Sequence, residues 1–367
     1  MEYVQGRANA ERAGAGMQEA RQNPVSSAWF LVGATAVGKT GVAQYVAERT
    51  GAAILSVDAM LVYRGMDIGT AKPSVVERGA VPYFGIDLAD PDEPFSTGNW
   101  LQGVRAQLAA ARELVFAQPG VAGSGVLAVG GTGLYVRALT QGLEAAAADP
   151  ARRQYWQERL AREGLASLQR ELAARVPAAI VAGMDEKNPR RVIRALEHLE
   201  QYGALPAGWR AEALPRVVGL RLPRAALHIR IAARVAQMFD HGLLAEVEAL
   251  RRHYPVWQRP RGDASAGGAS AVPSEITGGA AGGVATACQA IGYAEVCDLL
   301  DKRITREQAI EQMVIRTRQL AKRQETWFRH QAEVTWLDLA PDEPLAAVGA
   351  RVLAAWSEHG PTPIRLF

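Results

Sequence analysis

The sequence predicts an α/β protein: a P-loop core with a parallel sheet flanked by helices, plus a helical insertion domain. Three observations point there. An apolar run at 28–32 breaks at Gly33, crosses four residues and reaches Gly38-Lys39-Thr40, which is the pattern G-x-x-x-x-G-K-[ST]. Further short apolar runs at 52–57, 125–129 and 216–222 alternate with helical patterns, as parallel sheets require. Between 141 and 215 the pattern is wholly helical and a strand returns only afterwards, so that stretch reads as an insertion.

The first strand and its loop carry the clearest chemistry. Glycines let a backbone curl until its N–H groups face one anion, and the following helix adds its positive N-terminal end. Lys39 supplies a mobile charge for a terminal phosphate, and the Thr40 hydroxyl can hold Mg²⁺. Gly33, Ala34, Thr35, Ala36, Val37, Gly38, Lys39 and Thr40 are therefore the expected diphosphate-binding residues. The helix expected at 40–49 places Val42 and Val46 on its buried side. The strand at 52–57 then delivers Asp58 at its carboxyl end, the rim where open α/β sheets bind ligands. An Asp in that place also caps helices, and the two readings separate only by geometry.

Later elements follow the same logic. A polar loop at 91–97 leads to an amphipathic helix at 100–117, with Leu101, Val104 and Leu108 at helical spacing. After the strand at 125–129, Gly130-Gly131 permit close backbone approach and Thr132 leaves the turn. Helices are expected at 149–163, 164–175 and 188–202. The last opens with Arg190, Arg191 and Arg194, a spacing that suits phosphate positioning as well as a solvated face. Pro223 opens a helix on which Arg230 and Arg234 share a face; either could meet an anion or pair with Asp240 or Glu246. A helix at 306–330 interleaves Arg316, Arg318, Lys322, Arg323 and Arg329 with Trp327, a mixture that suits RNA. A short strand at 334–337 and a final helix close the chain.

Length and composition set the bounds. A chain of 367 residues holds two domains or one with a large insertion. Hydrophobic content of 49% and a net charge of +3 describe an ordinary globular protein, so a nucleic-acid site must be local. The 2 cysteines are too few for a disulfide framework and have no metal-ligand spacing, which points to a reduced, cytoplasmic setting. No apolar run has membrane-spanning length. Residues 1–26 read as a disordered tail without a signal-peptide core. Residues 259–286, rich in Gly, Ala and Ser, read as a flexible loop. The expected layout is a core at 27–140 and 216–340, the insertion at 141–215 and a C-terminal helix within 341–367. Nothing in the sequence demands more than a monomer.

One stretch goes further. Asp58-Ala-Met-Leu-Val-Tyr-Arg-Gly-Met-Asp-Ile-Gly-Thr-Ala-Lys-Pro73 resembles the signature of the tRNA dimethylallyltransferase family, also called tRNA isopentenyltransferases. Gly85-Ile-Asp-Leu-Ala-Asp-Pro91, Val129-Gly-Gly-Thr-Gly-Leu-Tyr135, Asn188-Pro-Arg-Arg191, Ile291-Gly-Tyr293 and Thr317-Arg-Gln-Leu-Ala-Lys-Arg-Gln324 resemble its later segments, in its order. Ala34 and Val37 stand where the family commonly has Pro and Ser, and Ala59 where it has Ser.

The resemblance implies transfer of a dimethylallyl group from dimethylallyl diphosphate to N6 of the adenosine 3′ of the anticodon, with Mg²⁺ as cofactor. It implies Asp58, Thr132 and Arg234 as catalytic residues. It implies tRNA contacts, to the anticodon stem-loop, from Asp58, Ala59, Met60, Leu61, Arg153, Arg190, Arg191, Arg194, Gln289, Gly292, Tyr293, Lys322, Arg323, Gln324, Trp327 and Arg329. The rival is an ATP-dependent kinase whose loop holds nucleotide phosphates, with Asp58 as base for a substrate hydroxyl. It leaves both basic helices unexplained. A non-catalytic RNA-binding module, a third class, leaves the P-loop unexplained.

Overall fold

The structure, a computed structural model, describes residues 27–111, 125–142, 149–177, 181, 184–205, 214–258 and 286–366. The expected tail at 1–26 and all but the last residue of the expected loop at 259–286 lie outside them. The described residues fall into two compact units. Residues 149–205 make one and all the others make the second.

In the larger unit, β1 (Ser27–Gly33) feeds the P-loop and α1 (Lys39–Thr50). Next come β2 (Ala53–Ser56), the short α2 (Val75–Arg78), β3 (Tyr83–Phe84), α3 (Thr97–Ala110), β4 (Val126–Gly130) and α4 (Gly133–Gln141). The smaller unit supplies α5 (Pro150–Glu163), α6 (Leu165–Arg175) and α7 (Pro189–Tyr202). The larger unit resumes with β5 (Arg216–Arg221), α8 (Arg224–Asp240), α9 (Leu243–His253), α10 (Tyr293–Leu300), α11 (Arg306–Gln331), β6 (Glu333–Asp338), α12 (Leu345–His359) and β7 (Thr362–Pro363).

The sheet order is β3-β2-β4-β1-β5-β6, every one of those pairs parallel. Strands β2 and β4 are buried along their whole length, and β1 is buried beyond its first residue, as a sheet covered on both faces demands. From β1 the chain runs outward to β2 and β3, returns with β4 beside β1, then crosses to β5 on the far side. Strand order therefore reverses around β1 and β4, and ligands of such sheets bind outside the carboxyl ends at that point.

Three details have no clear signal in the sequence. The short β3 and α2 carry too little periodicity to register. Helix α3 begins at Thr97 rather than 100, because Ser96 and Asn99 cap each other's backbone N–H groups. Strand β7 pairs antiparallel with the start of β1, through Ala28 and Thr362. The predicted end of α3 at 117 falls outside the described residues, which stop at 111 and resume at 125.

One face of the sheet packs Trp29, Leu31 and Val218 against α1 and α12, with Trp356 at the centre. The Trp356 indole is 1% exposed, lies tilted against Trp29 with ring centroids 5.6 Å apart and donates to the Phe30 carbonyl at 3.2 Å. Trp356→Ala removes that ring and leaves a cavity, so unfolding free energy should fall by about 3–5 kcal/mol. A denaturant midpoint unchanged within error would contradict this placement of the core.

The smaller unit has its own core of Trp156, Leu168, Leu172, Val192 and Leu196. Two of its helices start alike. Asp149 accepts from the Ala151 and Arg152 N–H groups, Asn188 accepts from the Arg190 N–H, and each helix has Pro in its first turn.

Candidate active site

The P-loop sits at the carboxyl end of β1. Gly33 and Gly38 adopt φ +144° and +106°, and Ala36 takes φ 65°, a left-handed backbone that side chains resist. A Cβ on Gly33 would lie 2.6 Å from the Leu220 carbonyl of β5. Helix α1 has no side-chain cap at its N-terminus, so its first amides face the loop with the helix dipole behind them. Val37, 1% exposed, and Ala34, 6% exposed, turn their side chains into the core. The departure from the usual Ser at 37 is thus a packing change, and the Val37 N–H donates to the Ala34 carbonyl at 3.4 Å.

Lys39 donates through Nζ to the Gly33 and Ala34 carbonyls at 2.9 and 2.7 Å. Burial lowers its pKa to about 8, the Asp58 carboxylate works against that shift, and Arg234 adds to it. Burial also lowers the Arg234 guanidinium, again opposed by Asp58. The three charged side chains occupy one electrostatic neighbourhood at the sheet rim.

The exits of β2 and β4 are locked together. The Val57 N–H donates to the Val129 carbonyl at 2.9 Å and the Thr132 N–H donates to the Val57 carbonyl at 3.1 Å. A Cβ on Gly130 would come within 2.4 Å of that Val57 oxygen, so only glycine fits there. The Thr132 hydroxyl accepts from the Ala59 N–H at 3.1 Å rather than capping its own helix. Asp58 accepts from the Met60 N–H at 2.9 Å through one oxygen, closing a tight turn.

Helix α8 brings Arg230 and Arg234 to the rim. Arg230 donates to the P-loop carbonyl of Val37 at 3.3 Å and to Pro341 at 2.6 Å. Arg234 donates to the Thr70 carbonyl at 3.0 Å. The alternative pairings with Asp240 or Glu246 are absent among the described residues. Asp240 meets Arg306 at 3.8 Å, and Glu246 is bonded to backbone N–H groups of Asp67, Ile68 and Gly69. Helical spacing shows that the two arginines share a face, but it carries no signal for Arg230 lying on the loop.

Helix α11 closes the loop from the other side. The Gln324 carbonyl oxygen accepts from the Thr35 N–H at 2.8 Å. Cβ atoms on Gly131 and Gly133 would lie 2.2 Å from the Gln324 amide and 2.1 Å from the Trp327 ring. Those two glycines thus let the helix touch the turn after β4.

The expected tRNA contacts divide. Lys322 and Arg329 are exposed, with Arg329 paired to Glu325 at 2.9 Å, and burial beside Arg316 lowers the Arg323 pKa. Met60 and Leu61 are partly exposed, while Ala59 is 3% exposed and offers only backbone. The Tyr293 ring is fully buried, with its hydroxyl donating to Glu246 at 2.6 Å. Gly292 is buried as well, at φ +97°, where it starts α10. Gln289 closes a short 3-10 turn, Thr286–Gln289. In the smaller unit Arg190 and Arg191 are exposed. Arg153 and Arg194 meet the buried Glu197 at 2.8 and 3.2 Å, so they also serve that unit's own structure.

Among the described residues no three His, Cys, Asp or Glu side chains cluster as a metal cage. Mg²⁺ often takes one or two protein ligands, several waters and substrate phosphates instead. The exposed Thr40 at the start of α1 fits that mode. Among the described residues no helix is long and apolar enough to cross a membrane.

Comparison with known proteins agrees with this geometry. The IPP transferase family model matches residues 61–331, and an isopentenyl transferase model matches 26–80. The chain is 35% identical over 326 residues to the tRNA dimethylallyltransferase of Xylella fastidiosa, covering 86% of this chain and 94% of that one. It is 39% identical over 319 residues to the Methylococcus capsulatus enzyme of the same name, covering 84% and 91%. The crystal structure of the tRNA isopentenylpyrophosphate transferase from Bacillus halodurans matches with a TM-score of 0.57 and 31% identity, over 91% of this chain and 97% of that one. With the family's model spanning most of the chain and its P-loop, Asp58 and Thr132 turns gathered on one sheet rim, this protein belongs to the IPP transferase family.

Proposed function

We propose that this chain transfers the dimethylallyl group of dimethylallyl diphosphate to N6 of the adenosine just 3′ of the anticodon in tRNA. The observation that carries the proposal is the convergence of three strand ends. The P-loop after β1, Asp58 after β2 and Thr132 after β4 lie within one bonded frame, with Lys39 and Arg234 in the field of Asp58. Relatives named for this reaction support it.

The target base leaves its stack to reach the rim. Asp58 accepts a hydrogen bond from N6–H, orients the lone pair and takes the proton as N6 bonds to C1 of the allyl group. The C1–O bond breaks and diphosphate leaves with its electron pair. P-loop N–H groups, Lys39 and Arg234 stabilise that charge. Arg230, already on the loop, adds to the positive field. Mg²⁺, held by the Thr40 hydroxyl and the diphosphate, would supply further neutralisation. Thr132 lies between base and allyl group. In the larger unit Lys322, Arg323, Trp327 and Arg329 on α11 offer charge and a stacking face to tRNA; in the smaller unit the exposed Arg190 and Arg191 on α7 offer charge to its phosphates. The working form is a cytoplasmic monomer.

Thermal unfolding separates this from a nucleotide reading. Dimethylallyl diphosphate with Mg²⁺ at a hundred times its Kd should stabilise the protein by about 2.7 kcal/mol, whereas ATP should shift it little. The reverse order would favour a kinase. The basic helix has its own test. Replacing Arg190 and Arg191 by Ala should lower the salt slope of tRNA binding by about 0.7–0.9 for each phosphate no longer neutralised. Affinity for the diphosphate should hold. An unchanged slope would assign both arginines to a solvated face.

A further inference from the structure

We infer that Glu246 is a positioning residue for the prenyl-transfer step, acting through Arg234 by fixing the loop that holds its guanidinium; the inference rests on the role proposed for Arg234. Glu246 lies in the first turn of α9, which Gly242 starts at φ +99°. One carboxylate oxygen accepts from the Asp67 and Ile68 N–H groups at 3.0 and 2.7 Å. The other accepts from the Gly69 N–H at 3.2 Å and the Tyr293 hydroxyl at 2.6 Å. Three successive amides converging on one carboxylate form an anion nest, here filled by the protein's own side chain.

The next residue is Thr70, whose carbonyl accepts from Arg234 at 3.0 Å. Position 69 has no freedom to drift, since a Cβ there would lie 2.5 Å from the Tyr293 ring. The base of the same loop is closed separately. Buried Lys72 bonds the Tyr63 carbonyl at 2.6 Å and meets Asp67 and Asp87 at 2.8 and 2.6 Å. Loop closure therefore does not need Glu246. What Glu246 adds is the orientation of residues 67–69, and through them the direction of the Thr70 carbonyl. A guanidinium held at one nitrogen by a fixed carbonyl presents its other N–H groups in a fixed direction, and it does so beside Asp58, whose charge it feels.

A double-mutant cycle on the full chain tests this by single-turnover transfer to an anticodon stem-loop. Glu246→Gln keeps size but turns an amide N–H toward backbone donors. Misplacement of this kind should slow transfer by roughly 10–100-fold, with tRNA affinity unchanged. In an Arg234→Lys background the same change should cost less than about twofold, the margin within which independent sites multiply. Equal losses in both backgrounds would overturn the inference and leave Glu246 a stabilising residue, while leaving Arg234 in place. Wild-type rates for Arg234→Lys and Arg234→Ala would overturn the arginine's role and this inference with it. Should Glu246→Gln fail to fold, Glu246→Asp, which keeps the charge one methylene short, enters the same cycle with the same expectation.

Discussion

Asp58→Asn should lower the single-turnover rate by roughly 10²–10⁴-fold, the usual worth of a positioned base. The fold should survive, because the one bond Asp58 makes to its own turn, from the Met60 N–H, needs only an oxygen acceptor that Asn retains. An amide cannot take the N6 proton, so the loss falls on the chemical step, and KM for the diphosphate near neutral pH should move little. A second consequence follows from charge. Asp58 raises the pKa of Lys39 and of Arg234 against the effect of burial. Removing the carboxylate should shift the Lys39 titration to lower pH. Rates close to wild type would make Asp58 a turn residue, and rescue by added Mg²⁺ would make it a metal ligand.

The second large effect concerns Lys39. Lys39→Ala removes the mobile cation of the loop, and transfer should fall by roughly 10²–10³-fold, as for loss of one preorganised donor to a developing anion. The pH profile carries the finer test. Burial depresses Lys39 to about 8 in the free protein. Below that pH the ammonium is mostly charged and diphosphate binds; above it the charge is lost. Thus kcat/KM for the diphosphate, which reports the free enzyme, should decline by up to about tenfold per unit above that pKa. Lys39→Arg stays charged throughout and should lose that limb even if its rate is lower. An alkaline limb that persists in Lys39→Arg would belong to another group.

What the sequence discloses follows the range of the interactions. The P-loop is legible because all its functional parts lie within eight consecutive residues, each demanded by local backbone geometry. Strands β1, β2, β4 and β5 announce themselves as apolar runs, and α7 by its Asn-Pro start. Asp58 and Thr132 reach the rim by the rule that ligands bind at carboxyl strand ends. The bond from the Ala59 N–H, next to Asp58, to the Thr132 hydroxyl spans 73 residues and has no local pattern. The same holds for Gln324 on Thr35, 289 residues apart, which the sequence presents only as part of an RNA-facing helix. The Tyr293 hydroxyl on Glu246, 47 residues away, likewise has no local pattern. Val37 looks like a lost phosphate contact and is a core side chain, since the loop's curl decides which way each residue points.

The central claim is that this P-loop holds an allylic diphosphate for transfer to RNA. The most direct measurement incubates the full chain with Mg²⁺, dimethylallyl diphosphate and an anticodon stem-loop bearing adenosine 3′ of the anticodon, then digests the RNA and weighs its nucleosides. The expected result is one adenosine gaining a five-carbon group at N6, one diphosphate released per transfer, and neither product from a stem-loop with guanosine in that place. Unmodified adenosine under conditions where the protein hydrolyses ATP or phosphorylates a small molecule would contradict it.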